Sequence, residues 1–150
     1  MKLTADEYRR AALDHVDEAR LLYEENRYVL AHYIAGLAVE CIFRAYAVRN
    51  GEPFEGRHDL SKWFELARFD EVIAASRSET VSAAYNVVVT QWSSTQRYYS
   101  DGFLRAYFRN AHLDRGIKGD AVKELTRRII EAALEVVTEG KVRWTIWSRR

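Results

Sequence analysis

Arg105 and His112 flank six residues in the segment RAYFRNAH, with Arg109 between them. On a helix, Arg105, Arg109 and His112 stand at i, i+4 and i+7 and share one face. Cleaving RNA by proton transfer alone needs two events. One group takes the proton from the 2′-hydroxyl, and another protonates the leaving 5′-oxygen. Histidine holds either state near neutral pH. A neighbouring arginine offsets the charge that grows on the phosphorane, and Asn110 can orient the phosphate. Trp92, Tyr98, Tyr99, Phe103, Tyr107 and Phe108 are interleaved with Arg97, Arg105 and Arg109. Arginine and aromatic side chains together can stack the bases of single-stranded RNA. The same residue types also suit a solvated basic face, a core or a subunit interface.

The other reactive side chains point to structure. His15 falls on the apolar face of its helix, which suits the core or an interface. His58 opens His58-Asp59-Leu60, where a capping role is expected, and Asp59 is the other residue that can serve the first turn of that helix. Cys41 lies in the most apolar segment and reads as a buried, inert thiol. Glu40 and Arg44, at i and i+4 in that segment, suit a buried ion pair that sets packing. HEXXH, the P-loop pattern, CxxC and GxSxG are absent. No metal or other cofactor is expected.

The elements that would position these residues are helical. Glycine and proline are scarce, seven and one, and mostly separate periodic segments. A first helix starts at a Thr4 cap and ends near Asn26, with Tyr8, Ala12, Val16, Ala19 and Leu22 on its apolar face. A second runs from about Tyr28 to Asn50, is apolar on nearly all sides, and belongs at the centre of a bundle. A third spans His58 to about Phe69. Residues 77–92 form a fourth, because the 3.6-residue spacing of Val81, Ala84, Tyr85, Val88 and Trp92 outweighs the strand-favouring Val87-Val88-Val89-Thr90. A short helix fits 101–112. The last runs from about Gly119 to Glu139, with Gly140 as its C-cap. The expected fold is an all-α up-and-down bundle of four or five helices over residues 1–140. Residues 141–150 are a basic, Trp-containing tail, either packed on the bundle as an extended strap or meeting a partner.

The chain has 150 residues, enough for one domain with a full core. Its composition, 48% hydrophobic and 30% charged, excludes a disordered chain. One cysteine excludes an intramolecular disulfide framework and a Cys-rich zinc site. The N-terminus lacks the apolar run of a signal peptide. Residues 31–48 carry two internal charges, which favours a core helix over a membrane span. A cytoplasmic location, with no membrane partner, is expected. The net charge of +1 divides unevenly: residues 1–75 sum to −4 and residues 76–150 to +5. The second half is therefore where an anionic partner is expected.

The order of elements resembles the HEPN-domain family. The resemblance runs through Tyr33-Ile-Ala-Gly-Leu-Ala-Val-Glu40, Arg49-Asn-Gly-Glu52, His58-Asp-Leu60 and Trp92…Arg97-Tyr98, and covers roughly residues 5–112. It implies a four- or five-helix bundle that is usually a homodimer. Many members are metal-independent ribonucleases, often the toxin of a toxin–antitoxin pair, with an Arg-x(4–6)-His motif. Others bind nucleotides or partner a minimal nucleotidyltransferase that acts as antitoxin. Arg105-x6-His112 fits the motif in the family's usual region, although Ala106 stands where a polar residue often follows the Arg. Arg27-x4-His32 fits the spacing at the head of the central helix, where His32 is expected in the core. The leading expectation is a HEPN protein of a prokaryotic toxin–antitoxin or defence module. Arg105 and His112 would be catalytic, and Arg97, Arg109 and Asn110 would bind RNA or nucleotide. The alternatives are a non-catalytic HEPN domain, which binds a nucleotide or a nucleotidyltransferase, and a structural interaction protein that uses the Trp-rich tail.

Overall fold

The computed structural model describes residues 2–53 and 56–147. Seven α-helices and no strand occur among the described residues. Helix α1, Ala5–Glu24, begins with a capping box: the Glu7 amide donates to Thr4 Oγ1 at 3.2 Å, and the Thr4 amide donates to the Glu7 carboxylate at 2.8 Å. Its buried residues Tyr8, Ala12, Val16, Ala19 and Leu22 recur every three or four positions. They lay α1 along α2, Tyr28–Arg49, and α7, Ala121–Trp147. Asn26, at φ 62°, reverses the chain between α1 and α2.

Helix α2 is the centre of the bundle and packs on α1, α3 and α7. Fifteen of its 22 residues are buried. By length and composition it passes for a membrane span, but 67% of its most apolar window lies inside the protein. Phe43, Tyr46 and Ile42 are its largest fully buried side chains, and truncating Phe43 to Ala would cost about 3–5 kcal/mol. Helix α3 spans Leu60–Ala67 and stops at Arg68, in the left-handed region, before the single turn α4, Phe69–Val72. Helix α5 is Ser78–Gln91. The valine run inside it is helical, because Val81, Ala84 and Val88 need one buried face against α7.

A 3₁₀ helix, Ser94–Tyr98, leads into α6, Asp101–Asn110. Helix α6 ends before the residue that the spacing argument needed, so His112 is not on its face. Helix α7 corrects a second expectation. Gly140 is not a C-cap, and the helix runs on to Trp147. The reason is local packing. A Cβ on Gly140 would stand 2.5 Å from Ile42 Cγ1, and the bare backbone lets α7 lie close on α2. Tyr46 Oη donates to the Gly140 carbonyl at 2.7 Å. The start of the expected tail is thus not an extended strap but the last turns of α7. Trp144 meets the Tyr46 ring edge-on at 5.0 Å, and Arg49 lies over the Trp144 ring at 3.8 Å. Ser148-Arg149-Arg150, the end of that tail, lie outside the described residues.

Candidate functional site

Helix α6 is capped by Ser100, whose hydroxyl accepts from the Phe103 amide at 3.2 Å. Leu104 and Phe108 anchor it against Val122 and Leu125 of α7. Arg105 lies at the edge of this packing, and two carboxylates engage it. Its guanidinium donates to Asp120 Oδ1 at 3.0 Å and to Asp101 Oδ2 at 3.2 Å. The Asp120 bond is the main reason its pKa rises above the ordinary arginine value. Asp120 also caps α7 by accepting from the Val122 and Lys123 amides. Arg105 therefore ties the start of α6 to the start of α7.

His112 has a backbone role. It lies at φ 58°, its amide donates to the Arg109 carbonyl at 3.0 Å, and the Leu113 amide donates to the Phe108 carbonyl at 2.9 Å. These two bonds, closed by apolar Leu113 and Phe108, make a Schellman turn with His112 where glycine is usual. Arg109, Asn110 and His112 are all exposed.

The other half of the aromatic–arginine segment is held differently. Gln96 is fully buried. Its Nε2 donates to the Gln91 carbonyl at 2.7 Å, and its Oε1 accepts from His32 Nδ1 at 3.1 Å. Burial is the first cause that pushes the His32 imidazole down to about 4, so it is neutral inside the bundle. His32, half of the second Arg–His match, is indeed a core residue. This latch fixes the 3₁₀ helix and leaves its neighbours outside. Tyr98 is 77% exposed and Phe103 is 59% exposed. The Arg97 guanidinium carbon lies 4.8 Å from the Tyr98 ring centre. Trp92 and Phe108 are buried, so the expected aromatic cluster splits into a core part and a surface part.

A third group was only half visible in the sequence. Glu40 and Arg44 form the expected buried pair, with Nε to Oε2 at 3.1 Å. Arg44 also donates to the Arg57 carbonyl at 2.7 Å and lies 4.1 Å from the Trp63 ring centre. His58 does not cap α3; Asp59 does, accepting from the Lys62 amide at 3.2 Å. His58 instead turns inward, with Nδ1 3.0 Å from both Glu40 oxygens. Its side chain stays 38% exposed. It opens on a cleft of about 230 Å³, lined also by Asp59, Ser61, Trp92, Ser93 and Ser94. Glu40 was legible as one polar residue on an apolar helix. Its partner 18 positions on, across a loop, had no periodic signal.

His15 is half-buried, 3.2 Å from the Glu18 carboxylate. Cys41 is buried, and burial pushes its thiol up to about 12, as expected of an inert cysteine. Among the described residues no group of three or more His, Cys, Asp or Glu is placed to hold a metal ion.

The fold is an all-α bundle built on a buried central helix, with a cleft at His58 and exposed arginine and aromatic side chains on the 3₁₀ helix. The HEPN domain family matches residues 5–142, and the chain belongs to that family. No curated protein and no solved structure matches the chain.

Proposed function

We propose that this chain is an RNA-binding HEPN protein that holds a single strand against the 3₁₀ helix and the start of α6. The observation that carries this reading is the exposed trio of Arg97, Tyr98 and Phe103. Tyr98 stands in water with Arg97 over its ring, and Phe103, exposed near the start of α6, packs edge-on against Tyr99 at 4.5 Å. Exposed rings of this kind accept bases in any order, each stack adding about 1–3 kcal/mol. Arg97 supplies a charge for the phosphate between them. The buried Gln96–His32 latch keeps the platform rigid, so little freedom is lost on binding.

Arg105 and His112 enter this reading as frame residues. A guanidinium shared by two aspartates offers little charge to a phosphorane. Arg109 and Asn110 are exposed at the end of α6 away from Phe103 and stand outside the platform. A binding role of this kind suits a toxin–antitoxin or defence module.

The test is fluorescence anisotropy with a short labelled single-stranded RNA. Tyr98→Ala and Phe103→Ala are each expected to weaken binding by about 5- to 100-fold. Arg97→Ala should lower the salt slope by about 0.7. Wild-type affinity in all three variants, or no binding by the wild type, would overturn the reading.

A further inference from the structure

We propose that the last turns of α7 are a docking surface for an acidic, amphipathic segment of another protein. Val142 and Ile146 make its apolar contact, and Lys141 and Arg143 its charged flanks. The surface stands apart from the RNA platform, and neither reading depends on the other.

Three helices meet at this end of the molecule. Tyr46 and Arg49 lie in the last turn of α2, and Trp144 of α7 packs on both. The start of α1 reaches the same place, since the Arg9 guanidinium carbon lies 5.8 Å from the Trp144 ring centre. The platform is far away. Its latch residue His32 and Arg49 stand at opposite ends of α2, about 25 Å apart along the helix.

Positive charge collects here. Residues 141–150 carry four basic side chains and no acidic one. Burial pushes the pKa of the Tyr46 hydroxyl up, and Arg49, Arg143 and Arg9 all lie close enough to pull against it. The carboxylates that meet these cations are already engaged. Asp6 holds Arg9 at 2.7 Å and Arg10 at 2.9 Å. Glu139 is buried and faces Arg77 at 3.6 Å. Lys141 is exposed and has no ion pair among the described residues. Arg143 donates through Nε to the Val72 carbonyl at 3.0 Å, and its terminal nitrogens have no partner among the described residues. Arg49 Nη1 is buried without a hydrogen-bond partner. An anion arriving at this end therefore meets charge that the protein has not neutralised.

The apolar part is equally specific. Trp144 turns inward, covered by the Arg49 guanidinium and set edge-on to Tyr46. Val142 and Ile146, one turn apart, stand on the opposite side of α7 and are 57% and 44% exposed. Each residue turns a helix by about 100°, so Lys141 and Arg143 lie to either side of Val142.

That combination selects the partner. Among the described residues this surface offers no open ring for a base, so a nucleic acid would find charge alone. Two aliphatic side chains are a weak hold on a bilayer, where even a whole myristoyl chain binds only marginally. A protein segment with aliphatic residues on one face and carboxylates beside them satisfies both features at once. Its aliphatics cover Val142 and Ile146, and its carboxylates reach Lys141 and Arg143.

The test is anisotropy with a fluorescein-labelled peptide about four helical turns long, leucines on one face and glutamates on the other. A scrambled peptide of the same composition serves as control. Phosphatidylserine vesicles and single-stranded RNA serve as competitors. The proteins are the wild type, Ile146→Asp, Lys141→Glu and Tyr98→Ala, all changed at exposed positions and each checked by thermal melting. The wild type should bind the amphipathic peptide at least about 10-fold tighter than the scrambled one. Ile146→Asp and Lys141→Glu should each weaken it by about 10-fold, and Tyr98→Ala should leave it unchanged. Equal affinity for the two peptides would reduce the surface to bare charge and overturn the proposal. Absence of peptide binding, or displacement of the peptide by vesicles or by RNA, would overturn it as well. A wild-type dimer that Ile146→Asp turns into a monomer would assign the ridge to a second copy, again against the proposal.

Discussion

His112 and His58 each have an arginine close by in the fold or the sequence, and their settings are opposite. His112 lies on the exposed turn after α6, where its backbone closes the helix, and Arg105 is occupied by Asp101 and Asp120. His58 lies at the head of α3, where a buried carboxylate on another helix holds its ring and the residue lines a cleft. The pair that sequence spacing favours has become part of the frame. The pair that sequence spacing separates by 18 residues stands at the edge of a cleft. Spacing along one helix guarantees only a shared face, and that guarantee ends where the helix ends.

The comparison can be broken by removing the arginine from each region. Arg44→Leu leaves Glu40 buried without its main partner and should cost about 3–5 kcal/mol. Arg105→Leu removes partly exposed ion pairs and should cost about 1 kcal/mol or less. Urea denaturation of both variants measures the gap. Equal losses would mean that the two arginines do the same work.

Acid tests the latch beneath the platform. The unfolded chain protonates His32 near the ordinary value of 6.5, while the folded protein resists until about 4. Between those limits the unfolded state binds more protons, so stability falls as pH drops. The loss amounts to about 3 kcal/mol over that window. Stability measured from pH 7 down to 4 should fall more steeply in the wild type than in His32→Gln. Parallel curves would remove His32 from the account.

Gly36 offers a cut at the cleft alone. A Cβ there would lie 1.9 Å from Trp92 Cδ1, so Gly36→Ala must displace the indole. A cost of about 1–3 kcal/mol is expected in urea denaturation. The smallest effect belongs to His112. Replacing it with glycine relieves the left-handed backbone and should stabilise the protein by about 1 kcal/mol or less. A marked loss of stability would show that the imidazole itself holds the turn.

Much of this architecture was legible because it is written in local periods. The Thr4 cap, the all-apolar α2 and the helical reading of the valine run each follow from residues within a few turns. The Glu40–Arg44 pair was legible for the same reason. Gly140 misled because a glycine just after the last residues of an apolar stripe is the usual mark of a helix end. Its actual cause, contact with Ile42, lies almost a hundred residues away in the chain. His58, Gln96 and Tyr33 carried no periodic signal at all. Each acquires its role from a partner on another element: Glu40 for His58, His32 for Gln96, Trp92 for Tyr33. Arg97, Tyr98 and Phe103 were visible as a type of surface, but only the burial of Trp92 and Phe108 shows which aromatics face out.

Backbone amide and indole NMR shifts during titration with single-stranded RNA test the central claim most directly. The account predicts shifts concentrated at Ser93–Tyr98 and Phe103, with little change from Arg109 to Lys118. Shifts centred on Arg109–Lys118, or none at saturating RNA, would contradict it.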